Sequence, residues 1–422
     1  MSEHQLFPIP GGSMFGLENL PFGIGQHGSK SPQAWVALGN HALDLASLTR
    51  TGLFDSELVE RSVLADVFAD STLNCFIALG PPVWTHVRGA LQQCIKSNES
   101  DAFLSDHSME ISKLKMHVPV EIGDYVDFYS SIHHATNLGR LFRPDGEALL
   151  PNWRHIPVGY HGRTGTIVAD GSEIQRPCGV RLEEGQPIFG PTRSLDIELE
   201  VGAIVGREIN AKMDVTAADA EKYLFGICLV NDWSARDIQA FEYQPLGPFL
   251  GKSFATSMSC WVVTFDALAP FRADSPAQEP EPAPYLRDDR HGGLDLELEI
   301  LIESRIMRER RSKPIVISRT SFSDMYWTFA QQLAHVVANG ATTRVGDLIA
   351  SGTVSGPTAG SEGSFIELTW RGSRPLNLPD GTARSFLQDG DRVILRGWAG
   401  SNSQTRIGLG SVSGMIVKER KT

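Results

Sequence analysis

Leu195-Asp-Ile-Glu-Leu-Glu-Val201 alternates apolar and polar residues without a break, and Leu294-Asp-Leu-Glu-Leu-Glu299 nearly repeats it. A period of two belongs to a β-strand, whose side chains point alternately to opposite faces. Each string therefore has an apolar face to bury and a face that carries acids. Val393-Ile-Leu-Arg-Gly-Trp398 has the same character, and Trp35-Val-Ala-Leu38 is a further strand candidate. Turn residues recur between such runs from Asp101 onward, so most of the chain reads as a mainly β, α+β fold with a few helices. Helical spacing is expected over 66–79, over 83–95 behind Pro81 and Pro82, over 217–223, and over 323–339 with Gly340 as the stop. The change of character near 113–119 predicts a boundary there, giving segments 1–118 and 119–422. The Pro- and Glu-rich stretch 273–285 reads as a surface loop, and the basic stretch 305–313 as a solvated loop. Gly23-Ile-Gly-Gln-His-Gly28 fits a dinucleotide pattern on paper, but no strand leads into it, so it reads as a turn.

At 422 residues the chain is long enough for two domains. A net charge of −12 counts against nucleic acid or an anionic membrane as partner. An anionic small molecule would need local cations. No apolar run approaches the roughly 20 residues of a membrane span. The opening Met1-Ser-Glu-His-Gln-Leu has no basic start followed by an apolar core, so no secretion signal is expected. Cys75, Cys94, Cys178, Cys228 and Cys260 are scattered and form no Cys-x-x-Cys pair. That fits free thiols in a reducing cytoplasm rather than a disulfide framework or a thiolate zinc site. The Asn98-Glu-Ser sequon has no use there.

The chemistry concentrates in a few places. Asn231-Asp-Trp-Ser-Ala-Arg-Asp-Ile-Gln239 runs on to Leu246-Gly-Pro-Phe-Leu-Gly-Lys-Ser-Phe254. An acid, an arginine, an amide and a lysine stand there in apolar, Gly- and Pro-rich surroundings. Either they form an exposed helix start or they converge on a ligand. Glu198 and Glu200 share a strand face, with Asp196 beside them. Like charges side by side are costly unless a cation or solvent absorbs the field. The string ending at Glu299 qualifies equally, and spacing does not choose. In Gly123-Asp-Tyr-Val-Asp-Phe-Tyr-Ser-Ser-Ile-His-His134, Asp127 and Tyr129 have the same strand parity, and Asn137 and Arg143 follow. A histidine in that company is a candidate for proton transfer. The Ser351-Gly-Thr-Val-Ser-Gly-Pro357 loop could approach a ligand closely, with Glu367 beyond it. There is no Gly-x-Ser-x-Gly nucleophile elbow and no His-Glu-x-x-His zinc helix.

Together with Leu17-Glu-Asn-Leu-Pro-Phe-Gly23 and Pro151-Asn-Trp-Arg-His-Ile-Pro-Val-Gly-Tyr-His-Gly-Arg163, these segments resemble the fumarylacetoacetate hydrolase family from residue 17 to the end. The resemblance implies a small N-terminal β-barrel (Src-homology-3-like) with helices, followed by a β-rich catalytic domain that forms a homodimer. It implies a divalent cation on Asp127, Glu198, Glu200 and Asp232. Oxygen-only ligation favours Ca²⁺ or Mg²⁺ over zinc. It further implies a second ion near Lys252 and Thr256. The implied substrate is a β-diketone dicarboxylate, 4-fumarylacetoacetate, cleaved to fumarate and acetoacetate in phenylalanine and tyrosine catabolism. His134 would be the base and Glu367 its orienting partner. Arg236, Gln239 and Lys252 would stabilise the alkoxide, and Tyr129, Arg143, Gln239, Tyr243 and Thr353 would contact substrate. Strand parity alone favours His133 over His134, so the strand must end or bend before His134. Two rivals remain. One is an acylpyruvate hydrolase or a β-keto acid decarboxylase or isomerase of the same superfamily. The other is a non-enzymatic module holding a structural cation.

Overall fold

Leu224-Phe-Gly-Ile-Cys-Leu-Val-Asn-Asp232 and Leu199-Glu-Val-Gly-Ala-Ile-Val205 are buried at every position. Strands covered on both faces need such near-continuous apolar runs, and these two pair antiparallel at the centre of the main sheet. The computed structural model describes residues 13–97, 100–288, 292–401 and 405–419. The opening hexapeptide and the Asn98 sequon lie outside the described residues.

In chain order, the strands that frame the site are β1 (Phe22–Gln26), β2 (Gln33–Leu38), β3 (His41–Asp44), β4 (Tyr125–Phe128), β5 (Gly159–His161), β6 (Leu199–Val205), β7 (Leu224–Asp232), β8 (Thr256–Met258), β9 (Trp261–Thr264), β10 (Leu296–Glu303), β11 (Ile315–Ser321), β12 (Leu348–Ala350), β13 (Arg392–Ala399) and β14 (Ile407–Val417). The main sheet runs β3-β2-β1-β9-β7-β6-β12-β4-β5, with β8 paired to β7. The second sheet runs β11-β10-β13-β14. Leu199 and Leu229 of the first sheet share a core with Leu298, Leu395 and Leu409 of the second. The fold is therefore a strand-rich α+β arrangement.

The N-terminal strands are not separate from this sheet. β1 pairs with β2 on one side and, at Phe22 and Gly23, with β9 on the other. A second core joins Phe22, Phe76 and Trp84 to Phe225, Val230 and Met258. Five helices matter: α1 (Pro81–Lys96), α2 (Ile132–Phe142), α3 (Arg236–Glu242), α4 (Phe329–Val337) and α5 (Phe365–Leu368). α1 starts on Pro81 and buries Val83, Trp84, Val87, Leu91 and Ile95, a stripe at helical spacing.

Several local expectations give way. The single helix over 66–79 is two, Arg61–Phe68 and Asn74–Ala78. The Asp70 carboxylate accepts from Ser71 N at 2.6 Å between them, a local bond that competes with helix continuation. The helix over 323–339 begins only at Phe329, because Thr328 and Gln331 form a capping box. A 3₁₀ turn, Phe322–Asp324, precedes it. Gly23–Gln26 is strand rather than turn. There the missing side chain serves packing, since a Cβ on Gly23 would stand 2.6 Å from Cys260 O. Part of the basic loop is the helix Arg305–Glu309, capped by Ser304 Oγ, which accepts from Met307 N. The alternating string at 195–201 is interrupted: Leu195–Asp196 is one short strand and β6 starts at Leu199.

Candidate active site

The interruption at 195–201 aims the acids. The Asp196 carboxylate accepts from Ile197 N at 2.7 Å, and Asn231 Oδ1 accepts from Glu198 N at 3.2 Å. The backbone is thus held out of the regular ladder where Glu198 enters. Glu200 follows on β6, Asp127 comes from β4, and Asp232 ends β7. These four carboxylates are buried and present oxygens that all lie within 4.8 Å of one another. The polar face expected for this strand is an inward-facing site, not a solvated sheet face. The rival string differs. Glu299 is buried but spent on Arg319 and Arg396, each at 2.6 Å.

Lys252 Nζ donates to Glu198 Oε2 at 2.5 Å and to Asp232 Oδ2 at 2.6 Å. Tyr160 OH also donates to Asp232 Oδ2, at 2.9 Å, and Thr256 Oγ1 to Asp232 Oδ1 at 3.1 Å. Burial alone would push the Glu198 carboxyl up, but Lys252, Arg236 and His134 bring it down to about 2. Asp127 and Glu200 move the opposite way. Burial, and then the neighbouring carboxylates, hold both well above the usual carboxylate range. Asp127 Oδ1 and both Glu200 oxygens are buried with no hydrogen-bond partner. Unpaired buried carboxylate oxygens are costly, and convergent all-oxygen donors are what a hard divalent cation takes. The residues present fit such an ion.

β4 ends at Phe128, and α2 begins behind Ser131, whose Oγ accepts from His134 N at 3.2 Å. The chain has therefore left the strand before His134, so strand parity does not apply to it. His134 is buried, with Nδ1 2.7 Å from Glu367 Oε2 and Nε2 3.9 Å from Glu198 Oε1. Tyr129 packs edge-on against its ring. Glu367, on α5, also accepts from Asn137 Nδ2 at 3.0 Å, Ser355 Oγ at 3.0 Å and Ser364 Oγ at 2.7 Å. Burial works against its charge, yet His134, Ser364 and Asn137 hold its carboxyl below the usual value. An ionised Glu367 makes Nδ1 the protonated nitrogen and leaves Nε2 as an acceptor.

Beside the cluster lies a cavity of about 360 Å³. Asp127, Tyr129, Arg143, Glu198, Arg236, Gln239, Tyr243, Lys252 and Thr353 line it. Asp232 binds the lining residue Lys252 and is bound by Thr256, while His134 packs on the lining residue Tyr129 and binds Glu367; Glu200 adjoins the lining through the carboxylate cluster. Arg236 opens α3. It donates Nε to Asp196 Oδ2 at 2.7 Å and Nη1 to Glu198 Oε1 at 2.8 Å and to Gln239 Oε1 at 3.1 Å. Its Nη2 and the Thr353 hydroxyl are buried and unpartnered, which marks both as groups ready for a ligand oxygen. Leu138, Phe142, Val158 and Leu246 give the cavity an apolar side. Sequence reasoning missed two contributors. Tyr160 sits in the Gly-Tyr-His segment, where nothing distinguishes it from a packing tyrosine. Asp196 stood out only as a neighbour of Glu198 and Glu200.

A model described as fumarylacetoacetate (FAA) hydrolase C-terminal matches residues 125–416, and one described as fumarylacetoacetase N-terminal matches 18–119. Fumarylacetoacetase of Arabidopsis thaliana is 43% identical over 415 residues, 96% of each chain. That of Homo sapiens is 41% identical over 426 residues, 98% of each. Among solved structures, a fumarylacetoacetate hydrolase from Exiguobacterium antarcticum has a TM-score of 0.51 at 17% identity, covering 95% of this chain and all of the other. A probable 2-hydroxyhepta-2,4-diene-1,7-dioate isomerase from Mycobacterium abscessus has a TM-score of 0.53 at 15% identity and covers 96% of this chain. These last two likenesses concern the fold alone.

Proposed function

The chain belongs to the fumarylacetoacetate hydrolase family, and from that membership and the site we infer that it is a hydrolase of carbon–carbon bonds that cleaves fumarylacetoacetate. The products are fumarate and acetoacetate. The observation that carries this reading is the His134–Glu367 pair at 2.7 Å, set against four convergent carboxylates. A structural cation site gives no reason for a buried, oriented histidine there.

Asp127, Glu198, Glu200 and Asp232 would hold Ca²⁺ or Mg²⁺, and Lys252 with Thr256 would border a second ion. When bound, the main cation polarises the β-diketone oxygens and steadies the negative charge of the departing acetoacetate. His134 Nε2 takes a proton from water, and the charge it gains is balanced by Glu367 through Nδ1. Hydroxide adds to the carbonyl on the fumaroyl side. Arg236 Nη2, Gln239 and Lys252 then hold the resulting alkoxide. One such donor is typically worth about 3–4 kcal/mol of barrier. The carbon–carbon bond breaks, and a proton goes to the carbon that leaves. Tyr129, Arg143, Tyr243 and Thr353 fix the rest of the dicarboxylate along the cavity.

The proposed division into 1–118 and 119–422 is supported by the limits of the two family models, 18–119 and 125–416. Leu246, which lines the cavity, and Phe241 and Phe249 on either side of it in sequence are exposed, and these uncovered apolar side chains support a homodimer. Free cysteines and the absence, among the described residues, of a helix fit to cross a membrane are compatible with a cytoplasmic site of action. The test is loss of ultraviolet absorbance on adding fumarylacetoacetate, with and without chelator. Bleaching that needs metal and yields fumarate is expected. Release of carbon dioxide instead would move the chain to the decarboxylases.

A further inference from the structure

Arg236 and Glu367 stand far apart in sequence and serve opposite ends of the proposed reaction. One fully buried side chain ties them together. Asp196 Oδ2 accepts from Arg236 Nε at 2.7 Å and from Ile366 N at 3.0 Å. Its Oδ1 accepts from Phe365 N at 2.7 Å and Ile197 N at 2.7 Å. The first bond orients the guanidinium. The next two hold the opening turn of α5, the turn that carries Glu367. The last holds the break from which Glu198 projects.

We infer that Asp196 is a positioning residue, which sets Arg236 and the Glu367-bearing turn in one frame so that the alkoxide donor and the oriented histidine stay in register. The geometry of Arg236 is the reason. With Nε on Asp196 and Nη1 on Glu198 and Gln239, the planar fork is fixed in orientation, and Nη2 is left buried without a hydrogen-bond partner. Without Asp196, the guanidinium can turn about its bond to Glu198, and Nη2 is no longer held at one point. A displacement of about 1 Å at such a donor can lower a rate by roughly a hundredfold. Asp196 itself does not line the cavity, so its effect on turnover must run through Arg236 and Glu367.

This inference rests on the reading of the site as a hydrolase, and its test includes a part that does not. Asp196→Asn and Asp196→Glu are made in the full chain. Both are expected to fold, with a lowered melting transition because a buried ion pair is disturbed, while kcat falls about a hundredfold and KM stays within about threefold. The glutamate retains the charge but moves it by a methylene, so a rescue by Asp196→Glu would overturn the positioning role in favour of charge balance. In a double-mutant cycle, Asp196→Asn with Arg236→Gln should lose far less than the product of the single losses, as groups acting as a unit do. Losses that multiply would overturn the proposal, and so would failure of both variants to fold, which would assign Asp196 to the fold itself. A crystal structure of Asp196→Asn is the part independent of substrate. Arg236 displaced, with Asp127, Glu200 and Asp232 in place, supports the inference even if the wild-type chain proves to act on another molecule. Arg236 unmoved sinks it even if fumarylacetoacetate is the substrate.

Discussion

His133 and His134 are neighbours in sequence and share nothing in surroundings. His134 is buried on Glu367, whereas His133 is half-buried and lies near Asp324. Replacing His134 with Gln should lower kcat by about 10²–10⁴-fold, and His133→Gln should leave it within a few-fold. Steady-state rates with the purified variants decide this, and a dead His133→Gln beside an active His134→Gln would reverse the assignment. The acids give a second prediction. The folded-state pKa values of Asp127 and Glu200 are raised, chiefly by burial, so the metal-free protein favours protons on them at pH values where the unfolded chain is ionised. That favourable term is complete below the ordinary carboxylate range and is lost as pH rises. A divalent cation must expel those protons. Its affinity should therefore rise with pH above the ordinary carboxylate range, and calorimetric titration with Ca²⁺ should release protons to buffer there. Affinity independent of pH, with no dependence on the ionisation enthalpy of the buffer, would contradict this upward shift. Residue types with their own chemistry were legible in sequence for this site. Asp196 and Tyr160 were not, because an Asp or Tyr acquires its role only when distant segments bring it a partner.

At the scale of elements, alternation identified strands but not where they stop. The string at 195–201 breaks after Asp196 because a side chain, not the period, decides the backbone there. Helical periodicity over 323–339 was real, yet the start belongs to the Thr328–Gln331 capping box. The loop after β12 shows what an element end contributes to the site. Gly352 has φ of 77°, and a Cβ there would stand 2.1 Å from Phe128 O. Its neighbour Thr353 turns a hydroxyl into the cavity wall. Gly352→Ala combines left-handed strain, about 1–3 kcal/mol, with a clash against β4, the strand that carries Asp127. The expected result is a lower denaturation midpoint together with a raised KM, since β4 and Thr353 must both shift. Wild-type stability and KM in this variant would mean that the loop is not seated as described.

For the molecule as a whole, a division near residue 118 describes composition better than it describes cohesion. β1 pairs Phe22 with Val262 and Gly23 with Trp261, so the N-terminal strands continue the sheet that ends in β5. On the same side, Phe22, Phe76 and Trp84 cover Ile204, Phe225, Val230, Val262, Met258 and Leu348, all buried. No reading of local periodicity could reveal this, since the pairing joins segments more than two hundred residues apart. Each of those side chains contributes about 1.5–3 kcal/mol when fully buried, a sum comparable with the whole stability of an ordinary domain. β7 makes the consequence functional. Its start, near Phe225, is packed under Trp84, with ring centroids 4.9 Å apart, and its end presents Asp232 to the acidic cluster. A chain comprising 119–422 alone would expose the first part of that strand and loosen the second. It is expected to be insoluble, or if soluble to bind Ca²⁺ at least tenfold more weakly than the full chain. The intact protein should unfold in one transition, with ellipticity and tryptophan fluorescence coincident. A soluble 119–422 fragment with full metal affinity would show that the N-terminal unit covers the sheet without holding the site, and that the shared core is an addition to a domain already complete.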